Sequence, residues 1–137
     1  MKITLLAALL TAFSIGTQAQ ELKRGGYPLE EITARYTEQG YQMYEDYDKF
    51  SDRTCYIIPT KSADMFFYID PESGLVSSSY LWPAGEQELR EYIEAYNTLY
   101  ETLDESQWRI KSKSGATYIA LREEEGEYFF EFIFTID

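Results

Sequence analysis

Two periods divide the chain. Near residue 30 and again near residue 90, apolar positions recur every three to four residues; elsewhere from residue 41 onward they recur every second residue. Leu29, Ile32 and Tyr36 follow Tyr27-Pro28, where a proline opens a helix without losing a needed N–H, and Gly40 is placed to end it as a left-handed cap. Residues 41–47, 54–58, 65–69 and 75–82 read as strands. Between the later ones stand Lys61-Ser62-Ala63-Asp64 and Asp70-Pro71-Glu72-Ser73-Gly74, both hairpin chemistry.

Pro83-Ala84-Gly85 then breaks the sheet. Leu89, Tyr92, Ile93, Tyr96, Leu99, Tyr100 and Leu103 lie along one stripe of a second helix, and Arg90, Glu91, Glu94, Asn97, Glu101 and Asp104 cover its other side. Residues 108–112, 116–122 and 127–136 follow as strands. The last is apolar on both faces, with Phe130, Phe132 and Phe134 on one and Phe129 and Ile133 on the other, so it belongs inside the sheet. The pattern predicts an α+β domain in the order α-ββββ-α-βββ: a single antiparallel sheet of about seven strands with two helices packed on one face.

At an offset of 62, Tyr56-Ile57 meets Tyr118-Ile119 and Phe66-Phe67-Tyr68 meets Tyr128-Phe129-Phe130; at an offset of 60, Ile32 and Tyr36 meet Tyr92 and Tyr96. Two readings fit: an internal duplication, or aromatic hairpins that look alike by composition. In element order alone the layout is similar to the doubled α-plus-hairpins arrangement of β-lactamase-inhibitor-like domains. No motif is shared, and fold does not carry function.

The amino end reads as an export signal. Met1-Lys2 is basic, the run from Ile3 to Phe13 is apolar, Gly16 breaks it, and Thr17 and Ala19 are the small residues a signal peptidase reads. Residues 1–19 are therefore expected to leave, with Gln20 first in the mature chain, residues 20–26 as a flexible lead and 27–137 as one domain. The run is too short to predict a stable membrane span once the signal is cut. The expected location is periplasmic or extracellular. Cys55, the single cysteine, permits no intrachain disulfide and, within the apolar run 54–58, reads as a small core residue.

Charge narrows the partners. The nineteen-residue signal carries off Lys2, leaving 118 of the 137 residues with 11 basic against 24 acidic side chains, a balance of −13. Nucleic acid and anionic surfaces are disfavoured by that sign. The absence of histidine excludes imidazole bases and ligands. Carboxylates are the only abundant reactive groups, and a hydrolase would need two of them facing across a cleft. Glu45, Asp46, Asp48 and Asp52 are dense enough to raise calcium, but lack the glycine of a calcium loop. Ser77-Ser78-Ser79 sits in a strand with no partnering base, and no cofactor motif occurs.

What stands out is aromatic content: 13 Tyr, 8 Phe and 2 Trp. Such residues fill β-rich cores and also furnish binding surfaces. Alternation assigns Tyr41, Met43 and Tyr47 to the core and leaves Gln42, Tyr44, Asp46 and Asp48 on the opposite face of a first, edge strand. Of the later aromatics, Tyr80 or Trp82 is expected to point outward. The site expected from sequence is Tyr44, Asp46 and Asp48, receiving a cationic protein partner, in a non-enzymatic exported binding protein. The alternatives are a small carboxylate-dependent hydrolase and a structural component of a surface assembly. A deep pocket with two convergent buried acids would favour the hydrolase; an aromatic face rimmed by acids would favour the binder.

Overall fold

The computed structural model describes residues 28–49, 51–111, 113 and 115–136. The expected signal and lead lie outside these. The elements are α1 (Leu29–Glu38), β1 (Tyr44–Asp48), β2 (Arg53–Pro59), β3 (Ala63–Ile69), β4 (Val76–Pro83), α2 (Glu86–Leu99), β5 (Glu101–Asp104), β6 (Gln107–Lys111), β7 (Gly115–Glu124) and β8 (Glu127–Ile136). All eight strands form one antiparallel sheet in the order β1-β2-β3-β4-β8-β7-β6-β5. Reading outward from the β4–β8 seam, each half counts down through its own four strands. Each half is thus an α-ββββ unit.

The sheet has eight strands where seven were expected, because α2 ends earlier than its apolar stripe. Leu99 closes the helix, Tyr100 turns extended (φ −125, ψ 166), and Glu101–Asp104 pairs with β6 as an edge strand. Leu99 and Leu103, expected in the core, are exposed as a result. The missing strand also displaces the repeat noted in the sequence. The offset of 62 set β2 against β7 and β3 against β8, whereas the topology makes β2 the counterpart of β6 and β3 of β7.

Opposed residues share a face, so register defines the core. One row crosses five strands: Ile58, Met65, Leu81, Phe130 and Leu121. Trp108, Ile119 and Phe132 make a second row on the same side. Against these pack Ile32 and Tyr36 of α1 and Tyr92, Ala95 and Tyr96 of α2, so both helices cover one face. Tyr96 meets Phe130 edge-on at 4.9 Å and Trp108 at 5.4 Å. β8 lies between β4 and β7, inside the sheet as its two apolar faces require.

Three of the core aromatics have their polar tips met locally. The Trp108 indole donates to Asn97 Oδ1 at 2.7 Å, which gives a fastening task to a residue the helical pattern had assigned to the solvated side. The hydroxyls of Tyr92 and Ser62 are 2.7 Å apart, and Tyr36 donates to Met65 Sδ at 3.3 Å. Gly40 takes the left-handed conformation (φ 89) just past α1, as expected of a helix stop. At the β7–β8 hairpin, Glu125 and Gly126 both have positive φ (52 and 83), the two-residue turn whose twist suits an antiparallel pair.

Phe130 is 0% exposed at the centre of this arrangement. Phe130→Ala is expected to lower unfolding free energy by about 3–5 kcal/mol in urea titrations. Tyr128→Ala, on the same strand but 45% exposed, is expected to cost under about 1 kcal/mol.

Alkali provides a second check. Burial pushes the Tyr92 hydroxyl up to about 12 against an ordinary value near 10. Between those values the folded chain holds a proton that the unfolded chain has released. Stability is therefore whole below about pH 10 and falls as pH rises, by about 1.4 kcal/mol per unit from this group. Melting temperatures from pH 9 to 12 should fall less steeply for Tyr92→Phe than for the parent. Parallel curves would contradict the assignment.

Candidate functional site

Strands facing one helix layer have a second side. Tyr44, Asp46 and Asp48 of β1 oppose Ile57, Cys55 and Arg53 of β2, and that row continues through Phe66 and Tyr68 of β3. Tyr80 and Ser78 of β4 follow, then Glu131 and Ile133 of β8 and Tyr118 of β7. Among the described residues no helix covers this side. Its aromatic rings are half-buried by one another and not by a second layer.

The rings form a connected strip. Tyr68 meets Tyr80 edge-on at 5.4 Å, Tyr80 meets Phe129 at 5.9 Å, and Phe129 stacks on Trp82 at 4.4 Å with the planes 15° apart. Both Tyr80 and Trp82 belong to this face, where only one of them was expected to point outward; residues two apart on a strand share a side. Ile133, near the middle of the face, is 37% exposed.

Charges on this face are largely answered within it. Arg122 Nε and the Tyr80 hydroxyl donate to the two oxygens of Glu131, at 3.1 and 3.3 Å. Arg109 pairs with Glu101. The Arg53 guanidinium lies 4.9 Å above the Tyr68 ring. Burial, then the neighbouring Cys55 and Asp48, push the Tyr68 hydroxyl up to about 12. Cys55 is buried as expected, but beneath this face and outside the helix-facing core. Burial, then the charges of Asp46 and Asp48, push its thiol up, which suppresses the reactive thiolate.

The three residues singled out by sequence stand at one end of the strip. Tyr44 is 53% exposed and shares its side of β1 with Asp46 and Asp48. Its hydroxyl donates to Gln42, while Asp46 Oδ1 accepts the Tyr47 amide at 2.8 Å. The same strand corrects one expectation. Tyr47, assigned to the core, is 51% exposed, because β1 is the sheet edge and has a neighbouring strand on one side only. Tyr41 and Met43 do pack against the core, although they precede the strand itself. Glu45 points to the other side of β1 and accepts from the Tyr56 hydroxyl at 3.1 Å. The acids weighed above against calcium, and set aside there, are divided: Glu45 is on one side of β1 and Asp46 and Asp48 on the other.

Sequence reasoning marked the edge and missed the rest of the strip. Phe66, Tyr68, Phe129 and Ile133 alternate as core residues do, and alternation alone does not say which side the helices take. Compared with known proteins, the chain matches no family model, no curated protein and no solved structure. The similarity to β-lactamase-inhibitor-like domains therefore stays a likeness of element order.

Tyr44→Ala combined with Asp46→Asn should change unfolding free energy by no more than about 0.5 kcal/mol, because both side chains stand in solvent and Asn keeps the oxygen that accepts the Tyr47 amide. Chemical denaturation of the double variant measures this directly.

Proposed function

We propose that the chain is a non-enzymatic binding protein of the cell exterior or periplasm, and that the uncovered face of its sheet is where a protein partner docks. One observation carries this reading: an eight-stranded sheet with both helices on one side and a connected aromatic strip, from Tyr68 to Trp82, on the other, with Tyr44 on the edge strand of the same face. Rings of this kind provide large contact area at low entropic cost, and central aromatic and aliphatic anchors dominate interface energies. The rim at β1 carries Asp46 and Asp48 on a chain of strongly acidic balance, which favours a cationic partner through faster, steered association.

The hydrolase reading has less support. Among the described residues the buried polar side chains are Ser79 and Thr117, with no buried carboxylate beside them. A catalytic acid needs an environment that raises its affinity for a proton. Export also belongs to the proposal and rests on the signal-like first nineteen residues.

The test is a partner captured by the mature protein from the native exported fraction, identified, purified and titrated back. Ile133→Lys places a charge in the middle of the face at little cost to the fold. It should weaken that affinity at least tenfold while the melting temperature moves by only a few degrees. Arg35→Ala, on the exposed side of α1, should bind as the parent does. Equal affinity for Ile133→Lys and the parent rules the face out.

A further inference from the structure

The aromatic strip ends in a cleft. The β4–β8 ladder stops at Leu81 and Phe130, yet β4 continues to Pro83 and β8 begins back at Glu127. Beyond the last pair the two strands make no further ladder pair, and the rings of Trp82 and Phe129 stack on each other. A depression of about 880 Å³ opens there, bounded by the start of β3, the first turn of α2 and the tip of the β7–β8 hairpin. Phe66, Trp82 and Tyr128 supply aromatic walls.

Its charge is one-sided. Asp64, Glu86 and Glu127 line the cleft, and among the described residues no lysine or arginine does. Arg90 lies 3.9 Å from Glu86, but both side chains are largely in solvent, where such a pair neutralises little. The amino end of α2 adds partial positive charge. That end has its own acid: Glu88 Oε1 lies 3.0 Å from where a Cβ on Gly85 would stand, directly over the start of the helix. Three carboxylates around aromatic walls, one of them an indole, are the surroundings that stabilise an organic cation through charge and ring quadrupole together.

We propose that this cleft receives a lysine or arginine side chain of the protein docked on the uncovered face, as the anchor of that complex. The inference rests on the binding reading above and names the chemistry of its deepest contact. Phe66 and Trp82 belong to both the strip and the cleft, so a partner lying along the strip reaches the cleft without leaving the surface.

Glycine amides report on the cleft in the mature chain. Gly85 and Gly126 line it, whereas Gly40 and Gly74 lie outside it. Titration with Nα-acetyl-arginine amide, followed by proton–nitrogen correlation spectra, should give saturable shifts at Gly85 and Gly126 and none at Gly40 and Gly74. Nα-acetyl-citrulline amide, which has nearly the same shape without the charge, should give none. Asp64→Asn with Glu127→Gln should weaken arginine amide binding and partner affinity at least fivefold each. Equal shifts with citrulline, shifts spread evenly over all four glycines, or an unchanged affinity in the double variant would overturn the inference. The two readings fail separately. Loss of partner binding in Ile133→Lys alongside a cleft that ignores arginine leaves the docking face and removes the anchor. A cleft that takes arginine while Ile133→Lys binds the partner normally removes the docking face, and with it the anchor as stated here.

Discussion

Four opposed residue pairs, Ser78–Ile133 to Leu81–Phe130, join the two halves of this protein into one sheet. Neither half has a complete core without the other. Phe130 of the second half packs beneath Tyr92 and Tyr96 of α2 while sitting opposite Leu81 of the first. Ser62, in the first half, meets the hydroxyl of Tyr92 in the second. The seam therefore makes one cooperative unit from two α-ββββ modules, each of which alone would expose the edge and apolar rows that the seam buries.

The seam also sets where the aromatic strip can run. Strands that pair share their faces, so joining β4 to β8 aligns Tyr80 with Glu131 and brings Trp82 alongside Phe129. The strip is continuous across two modules only because of this register; a one-residue slip at the seam would put Phe129 and Glu131 on the opposite side of the sheet from Tyr80 and Trp82. Where the register ends at Leu81 and Phe130, the cleft begins. Core, face and cleft thus follow from one short ladder.

Much of this was legible in the sequence. Proline and glycine bracketed α1, period-two runs marked seven strands, and two apolar faces placed β8 inside the sheet. β5 was hidden because Leu99, Tyr100 and Leu103 continue a helical spacing without glycine or proline to interrupt it, and the turn into an extended chain at Tyr100 leaves no local mark. The site was legible only at its edge. Tyr44 stands out beside Asp46 and Asp48 because its neighbours are polar, whereas Tyr68 and Phe129 look like any core aromatic. What separates them from Phe67 and Phe130 is the side on which the helices settle, a property of tertiary packing with no counterpart in a single strand's pattern.

An open sheet has two free edges, here β1 and β5, and each presents backbone groups to any strand that approaches. β1 carries Glu45, Asp46 and Asp48, and β5 carries Glu101 and Asp104. Any edge-to-edge meeting of two copies, in any combination, sets acids beside acids, and on β1 the Tyr47 amide is already engaged by Asp46. Among the described residues no loop covers either edge and neither edge strand carries a proline, so within them the growth of the sheet from eight strands into a filament is opposed by electrostatics. That protection is conditional. It belongs to dilute, neutral surroundings and is withdrawn by salt or acid, so the conditions that quiet the acidic surface are also those under which this sheet could polymerise.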